Sequence, residues 1–224
     1  MLESASVVAP LEELVRVPSP AALPQSLAFD GELLWIGSWE TSRVYAVNPK
    51  HGNVIEEAAA PGKPVGSTVV GDELRFILSE NGGDDNRFVR RFIPGHGFKS
   101  HDATPCPDDT GSFLAYDGRR LWLSQRYNKR VIELDAQLAP VRTIDVGEQI
   151  LGFTFVRDLM YFSTWLGKDR GGCRIASLDP NAETPALRFV AAAPFVAVSL
   201  APGGDRLWTN DSKGAAAVAF ALPQ

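Results

Sequence analysis

The chain has few of the residues that stabilise small disulfide-rich folds or bind metals. Its 224 residues include two cysteines, Cys106 and Cys173, and three histidines, His51, His96 and His101. Two cysteines are too few for a disulfide framework, and the histidines lack the spacing of a metal-ligand set. We therefore expect no disulfide scaffold, no metal site and no other cofactor.

Long apolar runs and concentrated charge are also missing. No stretch is long enough to span a bilayer, and no signal-peptide core lies near Met1, which predicts a cytoplasmic protein that does not bind membranes. The net charge is −5 and the basic residues are dispersed, which argues against a nucleic-acid partner. We expect a monomer.

The chain does contain a repeat. "SLAFDGELLWIGSWETSRVYAVNP" (26–49) aligns without a gap with "FLAYDGRRLWLSQRYNKRVIELD" (113–135). A residue pair that follows a turn recurs five times, as Leu34-Trp35, Leu74-Arg75, Leu121-Trp122, Met160-Tyr161 and Leu207-Trp208. Asp-Gly and Gly-Asp turns between short runs of alternating apolar residues are typical of β-hairpins.

Short strands in a repeat of about 45 residues predict a four-stranded propeller blade. We predict an all-β, five-bladed β-propeller that forms a single domain over residues 1–224. The blades are expected at 25–60, 64–99, 111–146, 150–191 and 197–222. The last blade has only three strands, so an N-terminal strand within 6–17 should complete it and close the ring. The three anchor tryptophans should pack between neighbouring blades.

In a propeller, the loops between second and third strands and the links between blades meet on one face, around the channel. Here those loops are chemically rich, and the longest link between blades covers 96–112. Aromatic walls with a few polar groups predict a pocket for a small-molecule ligand. The loops would contribute Trp39, Glu40, Glu80, Asn81, Gln125, Arg126, Tyr127, Trp165 and Asp211. In the alternative interpretation, these are surface residues and the tryptophans plug the channel.

Two of these residues, and one histidine outside the list, have chemistry that suggests a role. Glu80 is the candidate general acid or base, and Arg126 is the candidate that binds an anionic group. We expect the two side chains to share one cup, because each follows the second strand of its blade and their blades are neighbours. His101 beside Asp102 is a further candidate base, although adjacent residues rarely face each other. Cys106 has no activating base nearby in the sequence.

The whole chain resembles the five-bladed glutamine cyclotransferase (glutaminyl cyclase) family, of the plant and bacterial type. The resemblance lies in "LPQSLAFDGELLWIGSWETSRVYAVNPKHGNVI" (23–55), "GSTVVGDELRFILSE" (66–80) and "SFLAYDGRRLWLSQRYNKRVIELDAQLAPVRTIDV" (112–146). It implies a substrate-binding role for Gln25, which falls on the glutamine of the family's Thr-Gln-Gly motif. Trp165 fits an Asn-x-Trp motif. The gluconolactonase and strictosidine-synthase-like propellers are more distantly similar, and their Glu-Asn-Asn-Asp metal set is not found here.

The chain departs from that family where the family's acidic motifs lie. The Phe-Gly-Glu-Gly motif corresponds to Lys63-Pro64-Val65-Gly66, and the Asn-Glu-Leu-Glu motif corresponds to Ile150-Leu151-Gly152-Phe153. The family's tryptophan in blade 2 aligns with Glu80. Because Val65 cannot carry a proton, we expect no glutaminyl cyclase activity of the family's kind.

Two functions remain in competition. The first is a small-molecule enzyme of the lyase, hydrolase or isomerase type, with its active site at the mouth of the channel. The second is a non-catalytic propeller that binds a ligand or a protein partner. A buried Glu80 would favour the enzyme, and a solvated Glu80 beside an apolar rim would favour partner binding.

Overall fold

The structure, a computed structural model, describes residues 8–81, 83, 85–167 and 172–223. Over these residues the chain forms 21 strands in five antiparallel sheets and one short 3₁₀ helix, Pro107–Asp109. The first strands of the five sheets contact one another in a closed ring. The fold is therefore a five-bladed β-propeller, which confirms the prediction. The described residues contain no helix with the length and apolarity needed to cross a membrane.

Each blade is built mainly from strands that pair with their sequence neighbours. Blade 1 contains β2 (Pro24–Phe29), β3 (Leu34–Ser38), β4 (Arg43–Val47) and β5 (Val54–Ala59). Blade 2 contains β6 (Lys63–Val70), β7 (Glu73–Ser79), β8 (Arg87–Ile93), β9 (Gly97–Phe98) and β10 (Thr104–Pro105). Blade 3 contains β11 (Phe113–Tyr116), β12 (Leu121–Gln125), β13 (Arg130–Leu134) and β14 (Pro140–Asp145). Blade 4 contains β15 (Ile150–Val156), β16 (Leu159–Trp165), β17 (Cys173–Leu178) and β18 (Arg188–Ala193). Blade 5 contains β19 (Ala197–Pro202), β20 (Arg206–Asp211), β21 (Ala216–Ala221) and β1 (Glu13–Pro18).

Blade 2 ends later than the sequence predicts. The segment 96–112 is expected to be a plain link between blades, but its first half pairs with β8 through β9 and β10. The chain thus turns back along the outer edge of β8, whose backbone groups would otherwise be unpaired. The predicted blade end at residue 99 is wrong for this reason.

The ring closes through β1, as predicted. β1 pairs antiparallel with β21, with Arg16 opposite Val218 and Pro18 opposite Ala216. The observed strand covers Glu13–Pro18, in the second half of the predicted segment, and residues 6 and 7 of that segment lie outside the described residues. Just before β1, the N–H of Leu11 donates to the carbonyl of Ala192 in β18 at 2.9 Å. The N-terminal segment is therefore attached to two blades.

The core lies between the blades, with one buried apolar cluster at each of the five blade interfaces. Trp35, Trp122 and Trp208 are at most 4% exposed, and each contributes to the interface with the next blade, as predicted. The indole N–H of Trp35 donates to Asp30 at 2.7 Å and that of Trp122 to Asp117 at 2.9 Å. The aspartate of the preceding turn thus orients the ring that fills the interface.

Near the channel, the innermost strands approach each other backbone to backbone. A Cβ added to Gly66 would lie 2.5 Å from the carbonyl oxygen of Ser112 in blade 3. A Cβ added to Gly152 would lie 2.5 Å from the carbonyl carbon of Ser199 in blade 5. Glycine is required at both positions because no side chain fits between these strands.

Deleting residues 1–19 should expose the outer edge of β21 and lower the melting temperature, with aggregation. Calorimetry and size-exclusion chromatography would measure both effects. A control deletion of residues 1–7 retains β1 and should melt like the parent. An unchanged melting temperature in the longer deletion would contradict the role assigned to β1.

Replacing Trp122 by alanine should lower the free energy of unfolding by about 3–5 kcal/mol, because a large buried ring leaves a cavity between blades. Urea denaturation would measure the change. Tyr127→Ala is the control, since this side chain is 64% exposed and its loss should cost about 0.5 kcal/mol or less. A near-neutral result at Trp122 would show that the ring does not support the interface.

Candidate functional site

A pocket of about 220 Å³ lies at the channel mouth, on the face where second strands end and third strands begin. Blades 1, 2 and 3 and the link before blade 1 form it. Its lining consists of Leu23, Gln25, Trp39, Val65, Arg87, Ser112, Phe113, Arg126 and Tyr127. Four of the predicted site residues, Gln25, Trp39, Arg126 and Tyr127, are therefore brought together here.

Arg126 is the polar group of this pocket with two aromatic neighbours. Its guanidinium carbon lies 5.2 Å from the ring centroid of Tyr127 and 5.7 Å from that of Trp165. Its backbone N–H donates to Ser112 Oγ at 3.1 Å. Its Nε is buried and has no hydrogen-bond acceptor among the described residues. Two aromatic faces thus position a cation that still has a donor to offer.

Arg87 is the second guanidinium of the pocket, and the sequence analysis missed it. It is 6% exposed and begins β8, and its Nη1 donates to the carbonyl of Gly111. Arg43 and Arg130 occupy the same place at the start of the third strands of blades 1 and 3. This repeated arginine is the signal that would have identified Arg87. Ser112 and Phe113 carry no such signal.

Val65 also lines the pocket, at the position where the resemblance to the cyclase family places a glutamate. It is 4% exposed and belongs to the apolar cluster between blades 2 and 3. On the neighbouring wall, the Lys63 ammonium lies 5.2 Å from the ring centroid of Trp39. This side of the mouth is therefore apolar and cationic.

Glu80 does not line the pocket. Its Oε1 accepts from Arg90 Nε at 2.7 Å and from Arg90 Nη2 at 2.6 Å. The structure therefore places the Glu80 carboxylate against Arg90 of β8 in its own blade. Arg126 lines the pocket, and Glu80 does not share that pocket with it. Asn81 and Glu40 are exposed on loops and also lie outside the pocket lining.

The Gln125 amide fastens the link before blade 3 and is not presented to a ligand. Gln125 is 1% exposed. Its Nε2 donates to the carbonyls of Pro107 and Thr110 at 2.9 and 3.2 Å, and its Oε1 accepts from Arg130 Nε at 2.7 Å. The side chain is buried because this link folds over the end of β12.

Asp211 is likewise used within the fold. Its Oδ1 accepts from the N–H of Gly214 at 2.9 Å, and its Oδ2 accepts from Arg16 Nη1 at 2.9 Å. Arg16 belongs to β1, so this carboxylate helps to attach the closing strand to blade 5. The repeat places Asp211 at a loop tip. In the structure Asp211 instead binds the closing strand, because the ring closes at blade 5.

His101 lies in a different groove, between blades 2 and 3, with Asp102. Asp102 accepts from Arg91 Nη1 at 3.2 Å, so this carboxylate pairs with an arginine. The His101–Asp102 pair is therefore not part of the mouth pocket.

Other reactive groups do not supply a site. Burial raises the pKa of the Cys106 thiol to about 12 and that of Cys173 to about 11. Both thiols are neutral at physiological pH and poor nucleophiles. Among the side chains that the structure describes, no group of three or more His, Cys, Asp and Glu is placed to bind a metal ion.

Comparison with known proteins identifies the fold. No family model and no curated protein matches the chain. Glutaminyl cyclase from Myxococcus xanthus superposes with a TM-score of 0.70 at 14% identity, over 96% of this chain and 98% of that one. PQQ-bound aldose sugar dehydrogenase from Streptomyces coelicolor gives 0.59 at 12% identity, over 94% and 97%. Regucalcin from Agrobacterium tumefaciens, a calcium-binding protein, gives 0.56 at 11% identity, over 97% and 96%. The likeness is one of fold.

These neighbours confirm the resemblance of the chain to the cyclase and gluconolactonase-like propellers at the level of architecture. They carry different activities on one scaffold, so the fold does not decide the function. Function must be argued from the residues of the mouth.

Gln125→Ala should destabilise the protein by about 1–3 kcal/mol, because it leaves buried partners of the amide without hydrogen bonds. Thermal unfolding would measure the loss. Gln137→Ala, at an exposed position, is the matched control and should be near neutral. If Gln125→Ala leaves stability unchanged and affects only ligand binding, the assignment of Gln125 to the fold is wrong.

Proposed function

We propose that this protein binds a small organic anion, of the carboxylate class, in the mouth pocket. The observation that carries the proposal is Arg126, whose guanidinium lies over the rings of both Tyr127 and Trp165 and whose buried Nε has no acceptor among the described residues. A cation positioned in this way is suited to accept a carboxylate through charge-assisted hydrogen bonds.

The charge of the lining supports an anionic ligand. Arg87 and Arg126 both line the pocket, and the described residues of the lining include no carboxylate. The Arg126 guanidinium, in a partly enclosed site, attracts a negative charge more strongly than it would in water.

The size and walls of the pocket support a small ligand. Its volume of about 220 Å³ is below the range of roughly 300–1,000 Å³ that is usual for drug-sized ligands. Trp39, Phe113 and Tyr127 offer ring faces to the apolar part of such a molecule. Gln25 adds an amide that can donate to a carbonyl or accept from an N–H.

The mouth geometry favours binding over acid–base catalysis. The described lining contains no Asp, Glu, His or Cys, and general acid–base chemistry needs a group of this kind within reach of the reacting atom. The Glu80 carboxylate lies on Arg90, and Val65 stands where the resemblance places the cyclase glutamate. The non-catalytic propeller is therefore the better-supported hypothesis, and glutaminyl cyclase activity is not expected.

The test is a calorimetric titration with a panel of small mono- and dicarboxylates, each matched with its uncharged amide. We expect at least one carboxylate to bind and its amide to bind more weakly. Arg126→Gln should weaken binding of the carboxylate by about ten- to a hundredfold, which is the loss expected when a hydrogen bond to a charged group is removed.

Arg157→Gln is the matched control, because Arg157 is exposed and lines a pocket on the opposite face. It should bind like the parent. Equal binding of acids and amides, or equal binding by parent and Arg126→Gln, would exclude the proposed site. Conversion of any bound carboxylate by the parent, lost in Glu80→Gln with binding retained, would support the enzyme hypothesis instead.

A further inference from the structure

The second residue of the anchor pair is aromatic in every blade but one. In blades 1, 3 and 5 it is a tryptophan, and in blade 4 it is Tyr161, and each packs against the next blade. In blade 2 the same position is Arg75. Between blades 2 and 3 the structure contains an open groove of about 650 Å³, lined by Arg75. The groove therefore lies where a tryptophan at position 75 would fill the interface between blades 2 and 3.

The groove is far from the mouth pocket. Leu121 lines the groove and begins β12, whereas Arg126, which lines the mouth, follows the last residue of β12. At about 3.3 Å per residue, these positions are roughly 16 Å apart along the strand. The two cavities therefore open at opposite ends of blade 3 and can be tested independently.

The groove combines an apolar floor with a rim of guanidiniums. Its floor includes Val70, Val89, Tyr116, Leu121, Leu134 and Leu138. Five arginines also line it: Arg75, Arg90, Arg91, Arg119 and Arg120. The carboxylates that line it are Asp102 and Asp135. Four of these arginines form ion pairs: Arg75 and Arg91 with Glu73, Arg90 with Glu80, and Arg120 with Glu133. Arg119 supplies the positive charge of the rim that no described carboxylate pairs with.

Ion pairs with Glu73 fix part of this rim. Glu73 accepts from Arg75 Nη1 at 2.7 Å and from Arg91 Nη2 at 2.5 Å. Hydrogen bonds from Arg91 and Arg75 lower the pKa of Glu73 to about 2, so this carboxylate stays ionised and positions both guanidiniums. The guanidinium of Arg119 is exposed and has no hydrogen bond or ion pair with other described residues. Arg119 is therefore free to bind an external anion.

We propose that this groove is a second ligand site, for an organic phosphate that carries a flat ring, the chemistry of a nucleoside monophosphate. The ring would occupy the space that tryptophan fills at other interfaces, against Tyr116 and the planar Arg75 guanidinium. The phosphate would bind Arg119, with a second contact from Arg120, whose ion pair with Glu133 at 3.1 Å leaves its guanidinium partly exposed. Guanidiniums match phosphate oxygens in pairs. The volume is within the usual range for a ligand of this size, about 300–1,000 Å³.

The test is a calorimetric titration of the full chain with AMP, adenosine and inorganic phosphate. AMP should bind. Adenosine lacks the phosphate and inorganic phosphate lacks the ring, so each should bind at least about tenfold more weakly. Raising the salt concentration should weaken AMP binding, since exposed charges are screened.

Two variants locate the site. Arg119→Gln should weaken AMP binding by about tenfold or more. Arg75→Trp should abolish AMP binding, because the tryptophan ring would fill the interface as it does in other blades. Arg206→Gln, on the same face in a pocket that shares no residue with this groove, is the matched control and should bind like the parent. Arg126→Gln should also leave AMP binding unchanged, which separates this site from the mouth.

The proposal is overturned by any of three results. AMP could fail to bind at about millimolar concentration, Arg75→Trp and Arg119→Gln could both bind AMP like the parent, or adenosine and AMP could bind equally. Binding of an acidic peptide in place of AMP would also overturn the ligand class, since it would assign the arginine rim to a protein partner.

Discussion

The packing of each blade on the next is the interaction on which the rest of this structure depends. A β-sheet with two apolar faces must cover both, and in a ring only the neighbouring blades can do so. The five buried clusters each span one blade interface. The ring must therefore close, and β1 closes it by joining the N-terminal segment to the last blade. The glycines at 66 and 152 serve the same packing near the channel.

Because the blades share one plan, positions that depart from it are the most informative. Arg75 replaces an interface tryptophan and leaves a groove, and Val65 places an apolar side chain in the wall of the mouth. Gly203 stands where blades 1 and 3 have the aspartate that orients the indole, and here Trp208 packs closely against its backbone. Each departure changes local chemistry without changing the fold, because the strands themselves pair through backbone groups.

Arginine shows how one repeated residue acquires several roles. At the start of the third strand, Arg43 and Arg130 form ion pairs with nearby carboxylates, whereas Arg87 lines the mouth and donates to a backbone carbonyl. Arg126 is positioned by aromatic rings. Arg126 therefore places a cation at the mouth, although the net charge of the chain is negative. A local concentration of cations, and not net charge, decides which ligand such a site attracts.

The sequence by itself determined the architecture. Blade number, anchor tryptophans and closing strand follow from turn spacing and two-residue periodicity, which are local properties. It also placed Trp39, Arg126 and Tyr127 at the mouth, because loop position in a repeat fixes the face to which a residue belongs, and Gln25 there through the resemblance to the cyclase family. Only the tertiary structure decided the partners of the polar side chains: Glu80 binds Arg90, Gln125 fastens a link, Asp211 binds the closing strand and His101 lines another groove. Most of these contacts join segments that the repeat register does not relate, so register alone could not predict them.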